Sequence, residues 1–242
     1  MRVALVSDLH ANLLGLEAVA ADARRAGVDR VVCLGDVATL GPHPREILER
    51  VRDLADTFVL GNHDEFLLDP QLVHGYAQAP VIVDAVDWCR AQLDQPLLDF
   101  VRGFVREAVI DLDGASLHLF HGSPRSNMED LLATTPAEQL DQALAGARAA
   151  VLAGGHTHLQ MVRQHRGALL VNPGSVGLPI RAYVAGREPE ILDHAEYAIV
   201  EGDGTGSVGV TLRRVRLDRA ALRSQADSAD HPLRASLVAA YR

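Results

Sequence analysis

Val3-Ala4-Leu5-Val6-Ser7-Asp8-Leu9-His10 decides how the rest of the chain is read. Four apolar residues in a row, Val3 to Val6, form the pattern of a strand buried on both faces. The run stops on an Asp and a His two residues apart. Polar groups at the carboxyl end of an interior strand are where open α/β sheets receive ligands. Carboxylate and imidazole together make a borderline-hard pair, suited to Mn, Fe, Ni, Co or Zn. Surface Asp and His are common, so this pair carries weight only if the pattern recurs. It recurs at four later strand ends.

Working outward, Asn12 is placed to cap a helix, Leu16, Val19, Ala20 and Ala23 share one of its faces, and Gly27 closes it. Val31 to Leu34 is a second apolar strand ending Gly35-Asp36. A helix follows from Pro44 to Leu54, and the strand Thr57 to Leu60 ends Gly61-Asn62-His63-Asp64. Strand alternating with helix implies a parallel sheet with right-handed crossovers. Residues 65–104 change character and read as two helices, Val81 to Leu93 and Pro96 to Phe104. They are too short to bury a core of their own. The expectation is one domain, 1–242, with a helical insertion at about 65–104 lying over the strand ends.

Beyond Val105 the period becomes that of strands. Arg106 to Leu112 and Ala115 to Phe120 flank Asp113-Gly114, a hairpin signal, and the second strand leads into His121-Gly122. A helix from Pro136 to Ala147 precedes the strand Ala149 to Ala153, which ends Gly154-Gly155-His156-Thr157-His158. Another hairpin turns at Arg166-Gly167. Glu196 to Glu201 and Ser207 to Leu217 are expected as strands of a second sheet, and residues 218–242 as mostly helix.

The five blocks supply two Asp, one Asn and four or five His, each beside a glycine or other small residue. That set is too large for one tetrahedral zinc. It suits two metals sharing a bridging carboxylate and a hydroxide.

Asp8-x-His10, Gly35-Asp36, Gly61-Asn62-His63-Asp64, His121-Gly122 and Gly155-His156-Thr157-His158, in that order, resemble the signature of the calcineurin-like metallophosphoesterases. Asn172-Pro173-Gly174-Ser175-Val176-Gly177 is similar to the small bacterial and archaeal, phosphodiesterase-like branch of that family. Ala11 stands where relatives often carry Gly. The resemblance implies a four-layer α/β/β/α sandwich, two mixed sheets flanked by helices. It also implies roles: Asp8, His10 and His158 hold a first metal; Asn62, His121 and His156 hold a second; Asp36 bridges them. His63 protonates the leaving oxygen, and Asp64 orients its ring.

The cofactors expected are two divalent ions per chain, from Mn, Fe, Ni, Co or Zn, with Mn favoured. Hydroxide made available near neutral pH would attack phosphorus in a small phosphate ester, a nucleotide or dinucleoside polyphosphate. A phosphomonoesterase, or a non-catalytic scaffold of the same fold, is the alternative. A scaffold need not keep all seven ligands and His63, and this chain keeps them.

Composition bounds the partners. Net charge is −9, from 32 acidic and 23 basic residues, which argues against binding nucleic acid through bulk electrostatics. No apolar run approaches membrane-spanning length and no secretory leader opens the chain, so a soluble cytoplasmic protein is expected. Cys33 and Cys89 read as reduced core residues. Homo-oligomerisation is left open. Arg125, after His121-Gly122-Ser123-Pro124, and His43, seven residues past Asp36, are the candidates for substrate contact; His74, His118, His165, His194 and His231 read as surface or satisfied histidines. Gly204-x-Gly206-x-x-Gly209 precedes a strand, so it is a hairpin loop and not a dinucleotide fingerprint. Ser175 lacks the Gly-x-Ser-x-Gly setting of a serine hydrolase.

Overall fold

The computed structural model describes residues 1–76, 79–184 and 188–242. The run Val3 to Val6 lies in β1 (Arg2–Val6). Asn12 caps α1 (Leu13–Arg25), its side-chain oxygen accepting the Gly15 N–H at 2.9 Å, and Gly27 beyond the helix end takes a φ of +68°. β2 (Arg30–Cys33), α2 (Pro44–Leu54) and a two-residue β3 (Thr57–Phe58) follow as the apolar runs require.

Four helices then precede the next strand: α3 (Asn62–Leu68), α4 (Gln71–Tyr76), α5 (Pro80–Ala91) and α6 (Gln95–Arg102). The sequence reading anticipated only the last two. It placed the polar block Asn62-His63-Asp64 at the end of a strand and predicted no helix there. In fact that block opens a helix, because Asp64 reaches back to accept the Gly61 N–H at 2.9 Å and replaces the missing helix bond.

β4 (Ala108–Asp111) and β5 (Ser116–Leu119) form the expected hairpin. Asp113 and Gly114 both take positive φ, +56° and +98°, as a two-residue turn between twisted strands demands. α7 (Ala137–Ala143), β6 (Val151–Ala153), β7 (Met161–His165), β8 (Ala168–Asn172), β9 (His194–Gly202), β10 (Val208–Arg216), α8 (Arg219–Ala226) and α9 (Arg234–Ala240) complete the order.

Two mixed five-stranded sheets result, β10-β9-β1-β2-β3 and β4-β5-β6-β8-β7. β1, β2 and β3 run parallel, as do β5, β6 and β8. One expectation is corrected. β9 and β10 belong to the first sheet, with β9 antiparallel to β1, not to the second. The reason is burial on both faces: Ala195, Tyr197 and Ile199 pack on one side of β9 and Ala198 and Val200 on the other.

The strand period of two sorts the layers. Val3, Leu5, Val32 and Leu34 meet Leu117, Leu119, Val151 and Val171 between the sheets. Ala4, Val6 and Cys33 face Leu16, Val19, Ile47, Leu48, Leu222 and Leu237 on the helical side. Leu152 and Leu170 face Leu140 and Leu144 at α7 on the far side. Helix, sheet, sheet, helix is the stack. Cys33 and Cys89 are buried free thiols. Among the described residues, no helix is long and apolar enough to cross a membrane.

Candidate metal centre

All five blocks sit where a parallel strand gives out: after β1, β2, β3, β5 and β6. There the backbone departs from the strand by left-handed turns. Asp8, His10, Asp36, His156 and His158 all have φ between +43° and +69°, a region that side chains other than Gly, Asn and Asp seldom occupy. Backbone bonds hold these turns: Asp8 N–H donates to Gly35 O at 3.0 Å and His10 N–H to Asp36 O at 3.0 Å. Ser175 Oγ donates to Asp8 O at 2.7 Å. Gly155 passes so close that a Cβ there would run into Ser7 Oγ and Asp8 Oδ2.

Two groups of potential ligands converge. In Asp8, His10 and His158 the donor atoms lie within 4.8 Å of one another, and the same holds for Asp36, His121 and His156. The groups abut: His10 Nε2 is 3.9 Å from Asp36 Oδ2, and His121 Nε2 is 3.9 Å from Asp8 Oδ1. The side-chain amide of Asn62 is buried, with neither Oδ1 nor Nδ2 hydrogen-bonded.

These residues suit divalent cations. A buried amide, Asp8 Oδ1 and His121 Nε2 without hydrogen-bond partners would be costly unless something else engaged them. His10 Nε2 and His158 Nε2 face each other at 3.0 Å, a pair that needs a cation or a shared proton between them. His121 Nδ1 donates to Leu34 O at 2.6 Å and His158 Nδ1 to Leu178 O at 2.7 Å, which leaves each Nε2 lone pair free to bind metal. His10 Nδ1 lies 3.4 Å from Thr39 Oγ1.

The electrostatics show the same demand for positive charge. Burial raises the Asp36 pKa, yet His121 and His63 outweigh it and hold Asp36 well below the usual carboxylate range. Asp8 is likewise lowered, chiefly by His158 against burial. For His121 burial is again opposed, here by Asp36 and Asp8, which push it up to about 10. Burial, then the charge of His158, drives His10 well below its normal value.

His63 lies beside these groups. Its N–H donates to Asp36 Oδ1 at 2.8 Å and its ring centroid is 5.2 Å from that of His10. Burial pulls its pKa down to about 4 against the pull of Asp36. Asp64 spends its oxygens on the backbone, accepting N–H groups of Asp36 at 2.8 Å, Gly61 at 2.9 Å and Val37 at 3.0 Å. It thereby shapes the turn that presents Asp36. Burial and the Asp36 charge raise its pKa to about 6 against those three donors.

Of the two candidates for substrate contact, Arg125 is paired with Glu129, Nε to Oε2 at 2.9 Å, and Glu129 also accepts from Ser123 Oγ. His43 precedes α2 with Nε2 3.4 Å from Ser228 Oγ. Neither belongs to the two ligand groups. Sequence reasoning assigned nothing to Ser175, Asn172 or Thr39. Asn172 Nδ2 donates to Gly155 O at 2.6 Å and Thr157 Oγ1 at 3.0 Å, so it pins the last ligand block. The Asn172-Pro173-Gly174-Ser175 motif was the available signal. Asp130, whose Oδ1 lies 3.5 Å from His156 Nε2, carried no signal at all.

A family model for the calcineurin-like phosphoesterase superfamily domain matches residues 1–202. The chain is similar to a metallophosphoesterase from Sphaerobacter thermophilus, whose crystal structure superposes with a TM-score of 0.77 at 30% identity, covering 100% of this chain and 98% of that one. It is 27% identical over 191 residues to phosphodiesterase YfcE of Escherichia coli K12, covering 74% of this chain and 81% of that protein. It is also 27% identical over 192 residues to protein MJ0912 of Methanocaldococcus jannaschii, covering 73% and 76%.

Proposed function

As a member of the calcineurin-like phosphoesterase superfamily the chain is a metal-binding hydrolase of phosphoric esters, and we propose that it is a dinuclear-metal phosphodiesterase acting on a small diester, with a nucleotide or dinucleoside polyphosphate as the leading substrate class. The observation that carries this reading is the pair of abutting three-residue groups with an unsatisfied amide beside them. Asp8, His10 and His158 would hold one ion, Asn62, His121 and His156 the other, and Asp36 both. Manganese is the favoured ion, since carboxylate with imidazole suits borderline-hard cations. Divalent ions at such a site lower the pKa of bound water and offer positive charge to phosphate oxygens.

The chain's own residues do the rest. Strand ends and left-handed turns hold the ligands rigidly, so little reorganisation is left for the reaction. His63 donates a proton to the departing oxygen. Burial keeps its proton affinity low, and an anionic phosphate seated against it would raise that affinity. Asp64 acts through the backbone of the Asp36 turn, on the evidence of its three N–H donors.

The test is hydrolysis by Mn-reconstituted protein of bis-p-nitrophenyl phosphate against p-nitrophenyl phosphate, each with and without chelator. Chelator-sensitive turnover favouring the diester is expected. Preference for the monoester would overturn the phosphodiesterase reading.

A further inference from the structure

A carboxylate that belongs to neither ligand group stands beside them. Asp130 lies in the loop between β5 and α7. One carboxylate oxygen, Oδ1, is 3.5 Å from His156 Nε2. The other, Oδ2, accepts the Tyr183 hydroxyl at 2.6 Å. Tyr183 comes from a different part of the chain, the segment after β8, five residues beyond Leu178, whose carbonyl accepts from His158. Asp130 is thus pinned between two loops that flank the site.

Apart from the His156 imidazole and the neutral donor Tyr183, Asp130 has no ion-pair partner among the described residues. Arg125 and Arg181, close to Asp130 and Tyr183 in sequence, are paired with Glu129 and Glu190. The Asp130 side chain is over a third exposed, so a small anion in solution can reach it.

We propose that Asp130, positioned by Tyr183, is a specificity-determining charge that disfavours doubly charged terminal phosphates and so favours diesters. The inference rests on the reading of this site as a metal-dependent phosphoesterase. A diester phosphate carries one negative charge. A monoester carries close to two at pH 7 and above, because its second pKa is near 6. The extra charge meets Asp130. The diester, with two of its oxygens esterified and one charge fewer, meets the same carboxylate at half the cost. Metals attract both substrates, so the fixed carboxylate sets the difference between them.

The experiment compares Mn-loaded wild type, Asp130→Asn, Asp130→Glu and Tyr183→Phe at pH 8. Calorimetric titration measures binding of inorganic phosphate, a dianion there, and of dimethyl phosphate, a monoanion. Metal content is measured in parallel. Asp130→Asn should bind inorganic phosphate about tenfold more tightly, with dimethyl phosphate, at half the charge, changed only about threefold. The diester-to-monoester ratio of kcat/KM should fall with it. Asp130→Glu should restore the wild-type preference, and Tyr183→Phe should move the same way as Asp130→Asn by less. Unchanged phosphate affinity in Asp130→Asn, an equal change for both anions, or loss of a metal ion would overturn the charge role. Phosphate binding by wild type that ignores chelator would overturn the phosphoesterase reading of the site, and the inference with it.

Discussion

Asp36 is the residue on which both ligand groups of the proposed site would depend. It accepts the His63 N–H at 2.8 Å, and its carboxylate lies 3.4 Å from His121 Nε2 and 3.9 Å from His10 Nε2. Asp36→Asn keeps the shape and an oxygen for His63 but removes the charge. Equilibrium dialysis should show both metal equivalents weakened together, and full retention of either would sink the bridging role. His63→Ala should keep both metals. It should lower turnover of esters with poor leaving groups by roughly 100-fold while sparing nitrophenyl esters, as loss of a general acid does; metal loss would show it to be a ligand. Gly155→Ala puts a Cβ into Ser7 Oγ and Asp8 Oδ2. A destabilisation of about 1–3 kcal/mol, typical of overpacking, should appear in denaturant melts together with weaker metal binding. At this scale most of the site was legible in the sequence, because Asp, Asn and His beside Gly at the ends of apolar runs are rare by chance. What was not legible has a common cause. Asp64 works on backbone N–H groups and Asp130 is brought in by a remote tyrosine, and neither contact leaves a local pattern.

Among the elements, the strands were the most readable, since continuous apolar runs of four or five residues have few other uses. Both hairpin turns, Asp113-Gly114 and Arg166-Gly167, followed from turn chemistry and take positive φ at both positions. The helices α3 and α4 were missed because seven and six residues are too short for a periodic signal. The sheet membership of β9 was missed because it depends on pairing with β1, 193 to 199 residues upstream. That placement is secured by a contact with its own pH signature. Asp22 on α1 accepts Tyr197 OH from β9 and Arg213 Nε from β10, each at 2.7 Å. Arg213, ahead of Tyr197 and Arg25 and against some desolvation, lowers the Asp22 pKa from 3.8 to about 2. A depressed carboxylate pKa contributes stability above its unfolded value, and that stability is lost as pH falls through the folded one. Between about pH 4 and pH 2 the wild type should therefore lose about 1 kcal/mol, after allowance for solvent screening, that Asp22→Asn does not lose. Urea midpoints for the two proteins across that range check it. Parallel curves would show that the contact does not titrate.

For the whole molecule, the four-layer stack came from the resemblance and not from strand counting; the period of two in β1, β2 and β9 explains it only once both faces are seen filled. The stack brings strand ends from both sheets to one edge, so residues separated by up to 150 positions meet there. A chain with net charge −9 could still receive phosphate at such an edge if it binds metal as proposed, because two dications over Asp8, Asp36 and a hydroxide would leave about one net positive charge in a formal count. Ions that bind only the folded chain also stabilise it by mass action. The most direct measurement is a calorimetric titration of metal-free protein with Mn2+, followed in the same samples by diester hydrolysis. Two equivalents per chain should bind, with turnover rising to its full value only as the second fills. Saturation of both binding and activity at one equivalent would contradict the dinuclear site.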